Sequence, residues 1–301
     1  MVILNSLGIS SYPFIMSIVL AVLNIIGNVV SITVLGWGVT GVALSTIFSS
    51  FVVVVCYFFK IRGCFKELGV LKSPVHLNFS EVKEVFSYSL PASLQQVSIY
   101  ISGIILAPII NGVGAAATAG FAVAKKIETV NASFYQSSSR TLSNYSAQCI
   151  GSKKYKELFK GLKIGAVQNI LFFALPMTVC IVFAEPICKS FFPDGFEGEA
   201  LDYALLFARC YLPFIAFNMG NNYLHAFFRG IGAMNKLVVS TAIGSTAQII
   251  FSLILSGRFG LEGIFMGIAI GWGTEVLYSV FVFITRFRTP EKVSAYQELR
   301  R

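Results

Sequence analysis

The stretch FNMGNNYLHAFFRGIGAMNK, residues 217–236, decides how this chain is read. It lies inside an apolar segment long enough to cross a bilayer, yet it places Asn218, Asn221, Asn222, His225 and Arg229 within about three helical turns. Asn218, Asn222, His225 and Arg229 stand at i, i+4, i+7 and i+11, which is one face of a helix. A polar group in hydrocarbon is costly unless it finds a partner or lines a wet cavity. That face is therefore expected to point into a helix bundle. Arg229 falls at the end of the span, where it can reach headgroups.

Composition agrees that the bilayer is the solvent. Of 301 residues, 55% are hydrophobic and only 12% are charged, and 28 are Phe. A soluble domain carries about 25% charged residues, so this chain cannot cover its surface with charge. The net charge of +9 reads as cytoplasmic loops rather than as nucleic-acid binding. Cys56, Cys64, Cys149, Cys180, Cys188 and Cys210 show no metal-ligand spacing. No nucleophile–base set or phosphate loop appears, so an enzyme is not expected and no cofactor is implied.

A crossing takes about 20 apolar residues. Eight segments qualify: 13–35, 39–60, 86–109, 114–148, 164–184, 202–228, 237–257 and 261–286. The expected fold class is all-α, a polytopic membrane protein of about eight transmembrane helices. The fourth segment is too long for one straight crossing and is expected to tilt, protrude or bend near SFYQSSSRTLS. Pro108, Pro176 and Pro213 fall inside spans and mark candidate bends. Lys and Arg collect in every second loop. One set is Lys60, Arg62, Lys66, Lys72 and Lys83; another is Lys153, Lys154, Lys156, Lys160 and Lys163; the tail has Arg286, Arg288, Lys292, Arg300 and Arg301. The alternate loops are poor in base, and the one at 184–202 sets Glu185, Asp194, Glu197, Glu199 and Asp202 against a single Lys. Both termini are therefore expected on the cytoplasmic side of the cell membrane.

The two ends of the chain echo each other. Laid over one another, 6–30 and 230–254 put Gly8 on Gly232 and Asn24 on Gln248; after a two-residue gap, Gly38 falls on Gly260 and Gly41 on Gly263. Each copy is a glycine turn, a span, a short turn and a return span. Transporters are often built from such repeats, with the site at the repeat interface.

Five stretches then resemble the multidrug and toxic compound extrusion (MATE) transporters. YSLPASLQQVSIYISGIILAPIINGVG (88–114) is similar to the family's seventh helix, with Ser89 where Gly is usual. AAATAGFAVAKKIETV (115–130) is similar to the start of its eighth, and SNYSAQCIGSKKYKE (143–157) to the end of that helix. FFRGIGAMNK (227–236) resembles its Arg-Gly-x-Gly turn, and LNSLGISSYP (4–13) the equivalent turn of the first half. The resemblance implies two six-helix lobes around a cavity and export against an inward ion flow. It also implies that the chain begins near the fifth helix, as the C-terminal two-thirds of a twelve-helix protein. Residues 1–60 would be the last two spans of an N-terminal lobe, 61–85 a cytoplasmic inter-lobe linker, 86–290 a complete second lobe and 291–301 a cytoplasmic tail.

The candidate substrate-binding residues are Gln95, Gln96, Lys125, Glu128, Gln136, Asn218, Asn222 and His225. Lys125 and Glu128 sit near mid-span, three residues apart, so they share a face and can pair. They are either a cavity charge pair or a structural one. Gln95 and Gln96 follow Pro91 and cannot both face a cavity. The resemblance places the family's coupling acids near Ile99 and Asn218, where this chain has no carboxylate. A coupling ion, H+ or Na+, is implied, and its site lies in a missing part, at Glu128, or nowhere; whether a metal ion is bound is unknown. The function implied is cation-coupled antiport of small, mostly cationic organic compounds by alternating access. The implied partners are the lipid bilayer, those cations and a missing N-terminal half. The alternatives are a lipid-linked oligosaccharide flippase of the same superfamily, which Lys125 and Lys126 favour, and a truncated product without activity.

Overall fold

The computed structural model describes residues 2–69, 78–193 and 198–299. Lys72, Asp194, Glu197, Arg300 and Arg301 of the charge pattern lie outside them. The described residues form α-helices joined by short turns: α1 (Val2–Ser6), α2 (Ser11–Thr33), α3 (Gly38–Glu67), α4 (Phe79–Val113), α5 (Ala115–Gly151), α6 (Tyr155–Val182), α7 (Ala184–Lys189), α8 (Glu199–Tyr211), α9 (Ile215–Gly230), α10 (Met234–Val282) and α11 (Pro290–Glu298). The chain divides into two units, Met1–Phe79 and Ser80–Arg301.

Among the described residues, six helical stretches are long and apolar enough to cross a membrane. The eight expected segments reappear once two of these facts are unpacked. The last stretch, Met234–Phe287, is divided at Gly260, whose φ of 57° and ψ of −130° are not helical. α5 is long enough but carries too many polar side chains to pass on composition. It runs unbroken for 37 residues, about 55 Å, through the serine-rich stretch where a bend was one expectation. Hydroxyls there are absorbed locally: Ser133 donates to the Thr129 carbonyl and Thr141 to that of Ser137. The sixth expected segment is interrupted instead. Pro213 sits in a 3-10 turn, Leu212–Phe214, between α8 and α9, because proline cannot donate to a helical ladder and its ring crowds the preceding turn.

Outward faces are apolar and exposed, as in Phe51, Ile164, Leu175 and Leu277. That is the pattern of a chain solvated by hydrocarbon. In the first unit α2 packs on α3. The contact is built from small residues: a Cβ on Gly41 would lie 2.7 Å from Ser31 Cβ, and Asn24 Nδ2 donates to Thr46 Oγ1 at 3.0 Å. In the second unit α5 is central, flanked by α6, α8 and α9. One buried cluster joins Tyr135, Phe207, Tyr211 and Phe265; another joins Leu158, Phe227, Phe228, Phe287 and Val293. The described part of the expected tail is helical and packs on the second unit. α11 begins at Pro290, buries Val293, and its Gln297 Nε2 donates to the Ile231 carbonyl at 2.7 Å. The expected linker is helical at both described edges, since α3 runs to Glu67 and α4 starts at Phe79.

The repeat is visible in the backbone. Gly38 and Gly260 both turn through the left-handed region, at φ 53° and 57°, as do Gly8 and Gly232 at 80° and 74°. Only glycine adopts these angles without strain. Gly41 abuts Ser31, and its counterpart Gly263 abuts the Leu255 backbone. Each pair of spans is thus a glycine-turned hairpin.

Close approach in the second hairpin gives a direct test. A side chain at Gly267 would collide with Ser252. Gly267→Leu should cost about 1–3 kcal/mol by overpacking, seen as a lower thermal midpoint of the detergent-solubilised protein. Gly257→Ala, where no neighbour lies within 4 Å, should leave the midpoint in place.

Candidate functional site

α9 carries the opening stretch and behaves as an amphipathic helix turned inward on both faces. Ala226, Phe227 and Phe228 are buried in an apolar cluster, while Asn218, Asn221, Asn222 and His225 line a cavity of about 300 Å³. Asn222 Nδ2 donates to the Asn218 side chain at 2.7 Å and to its carbonyl at 2.9 Å, so one amide braces the other along the helix. His225 is 6% exposed. Its Nδ1 stands 3.3 Å from Gln95 Nε2 of α4, and its Nε2 stands 3.3 Å from Ser240 Oγ of α10.

α5 contributes the charge pair. Lys125 Nζ lies 2.5 Å from Glu128 Oε2, the i, i+3 pairing that the spacing allows. The same oxygen accepts from Tyr211 Oη at 2.8 Å, and the ammonium sits 6.0 Å from the centre of the Tyr211 ring. Glu128 is 8% exposed, so its charge is buried but fully answered by a cation and a hydroxyl.

The other wall holds Trp272 and Glu275, on the second half of α10. Glu275 is 8% exposed. Asn221 Nδ2 donates to its Oε2 at 3.0 Å and to the Trp272 carbonyl at 3.1 Å. His225 Nε2 lies 3.6 Å from Oε1. Among the described residues, His225 is the only titratable or charged side chain paired with it, in contrast to Glu128. The two halves of α10 are stitched beneath by Ser240, which donates to the Glu275 carbonyl at 3.2 Å and meets Ser279 Oγ at 2.6 Å. Gly244 and Gly271 let the two helical halves of this hairpin close, since a Cβ at Gly244 would strike the Glu275 side chain.

The eight sequence candidates divide. Gln95, Lys125, Glu128, Asn218, Asn222 and His225 meet at the cavity. Gln96 is exposed and Gln136 half-buried, and neither lines it. Sequence reasoning passed over Glu275, although it is an acid near the middle of the apolar run 261–286. The rule that singled out Glu128, that a charge at depth is functional until shown otherwise, applies to it equally. Tyr211 and Trp272 gave no comparable signal in a chain with 28 Phe and 12 Tyr. Among the described residues no three His, Cys, Asp or Glu side chains gather to hold a metal ion.

Residues 91–254, more than half the chain, match the model of the MatE family. The chain belongs to the MatE family. Solved structures of MATE proteins share its fold. A MATE protein in the bent conformation superposes with a TM-score of 0.75 at 19% identity, covering 97% of this chain and 64% of that one. A mutant of the Vibrio cholerae MATE transporter VcmN gives 0.78 at 18% identity, covering 93% and 63%. The outward-facing multidrug resistance MATE family transporter of the MOP superfamily gives 0.76 at 20% identity, covering 94% and 62%. The chain thus spans just under two thirds of the length of these MATE structures. No curated protein sequence matches it. Ile99 and Asn218, the positions at which the MATE resemblance led us to look for acids, both line the cavity beside Glu275.

Asn221 offers a test of how the cavity wall is held. Asn221→Ala leaves the Glu275 carboxylate and the Trp272 carbonyl without their shared donor. Stability should fall by about 1–3 kcal/mol, read as the thermal midpoint in detergent. Gln96→Ala, on the exposed side of α4, should change it by less than about 0.5 kcal/mol.

Proposed function

We propose that this chain exports small organic cations across the plasma membrane, as a secondary transporter working by alternating access and coupled to an opposing cation. The observation that carries the reading is Glu275, buried in an aromatic-walled cavity with no Lys or Arg paired to it among the described residues. A buried carboxylate left without a fixed cation is a site for a mobile one. Trp272, Tyr211 and Phe121 line the same cavity. An aromatic face attracts a cation by about 0.5–2 kcal/mol, more when water is excluded. Membership of the MatE family and the likeness to a multidrug resistance transporter support export as the activity. The Lys- and Arg-rich loops support cytoplasmic termini.

Flipping of an anionic lipid-linked oligosaccharide would ask for unpaired basic charge in the cavity. Lys125 is engaged by Glu128, and Lys126 is exposed and not part of the lining, so neither favours that alternative.

The full 301-residue chain, expressed in a bacterial host stripped of its own efflux pumps, should lower ethidium accumulation relative to empty vector. Trp272→Ala should weaken apparent affinity by roughly tenfold, the equivalent of about 1.4 kcal/mol. Equal accumulation with and without the chain, at normal membrane expression, overturns the reading.

A further inference from the structure

We propose that Glu275 and His225 together form a one-proton site, and that this proton is the coupling ion released when a cation enters the cavity. The inference rests on the cavity being the transport site. It places the coupling group on the last span of the chain, not at Ile99 or Asn218, where neither side chain can hold a proton.

Three features of the geometry carry it. The first is charge. Glu275 is buried, and the groups facing the cavity from the packed helices are otherwise answered or neutral: Gln95 from α4, the mutually paired Lys125 and Glu128 from α5, Tyr211 from α8, Asn218, Asn221 and Asn222 from α9, and Thr241, Ser245 and Gln248 from the first half of α10. Arg229, one turn beyond His225, is at the exposed end of α9. An ionised Glu275 with a neutral His225 leaves one net negative charge in a confined space, and one added proton removes it.

The second feature is distance. At 3.6 Å, His225 Nε2 and Glu275 Oε1 are too far apart for a hydrogen bond, and Nε2 stands 3.3 Å from Ser240 Oγ instead. The pair therefore has two states differing by one proton, His225 turned to Ser240 and His225 hydrogen-bonded to the carboxylate. Gln95 facing Nδ1 accommodates both, because its amide can turn either its NH2 or its carbonyl to the ring.

The third is the kind of ligand. Asn221 Nδ2 faces two acceptors, the Glu275 carboxylate and the Trp272 carbonyl, which settles the amide's orientation. The carboxylate thus accepts one N–H, from Asn221, and has the His225 ring nitrogen beside it. When an organic cation settles against Glu275, it supplies the positive charge itself. The proton then leaves the pair for the water of the cavity, and the exchange is one charge for one charge.

The chain has two tryptophans, Trp37 and Trp272, so Trp37→Phe leaves Trp272, three residues from Glu275, as the sole fluorescent reporter. In that background, purified in detergent, a pH titration of the emission should show a single one-proton transition. Glu275→Gln should abolish it. His225→Gln should move its midpoint down by about one pH unit, a tenfold loss of proton affinity, because the base that shares the proton is gone. Tetraphenylphosphonium should also move the wild-type midpoint down, by competition, and release protons in weakly buffered solution, whereas NaCl in place of choline chloride should not move it. A transition that survives Glu275→Gln, or a midpoint indifferent to His225→Gln, overturns the proton site. A sodium shift equal to that of the phosphonium overturns the choice of ion. A normal titration and phosphonium competition in a chain that fails to export ethidium refutes the transport reading while leaving the proton site standing.

Discussion

Two helices surrounded by hydrocarbon gain nothing by exchanging lipid contacts for equally apolar contacts with each other. What holds them is close approach, and close approach requires residues without side chains. The second half of α10 returns along the first because Gly263, Gly267 and Gly271 recur every four residues on the meeting face. A turn through the left-handed region at Gly260 starts it. Everything at the cavity follows from that hairpin. It sets Ser240 against the Glu275 backbone and brings the Glu275 side chain within reach of α9. Without the glycine seam there would be no room for the carboxylate between the helices.

The same seam explains why two carboxylates of similar burial play different parts. Glu128 projects from a single helix and meets a lysine one turn earlier on that helix, so its partner is fixed in the covalent chain. Glu275 meets side chains from other segments, Asn221 and His225. In the repeat alignment its counterpart in the first hairpin is Val53, which is buried and apolar. The two hairpins share their turns and their close contacts, and the charge was placed on only one. A structural element and a chemical one have been separated within a duplicated framework.

Much of the site was legible before any coordinates. The stripe Asn218, Asn222 and His225 lies on one helical face because α-helical periodicity allows nothing else, and it does line the cavity. Lys125 and Glu128 pair because they are three apart. Such inferences succeed where the interaction is local. Gln95 and Gln96 were indistinguishable by the same reasoning, since adjacent residues point about 100° apart and only packing decides which direction is inward. Glu275 was missed for a different reason. Nothing near it in sequence pairs with it, and the residues that give it meaning lie 50 and 54 positions away.

The sequence by itself determined an all-helical membrane chain, the order of its apolar segments, the duplicated hairpin and the inward face of α9. Each follows from apolar length, from helical period or from the unique backbone freedom of glycine, all of which act over short distances along the chain. Only the tertiary structure decided that Pro213 breaks a span while α5 runs straight through its serines, that residues 290–298 dock against the bundle, and that Glu275 faces a histidine. Those outcomes depend on which helices touch. In a bundle without a strong hydrophobic drive between helices, that choice is made by the fit of small residues and the pairing of buried polar groups across the whole fold.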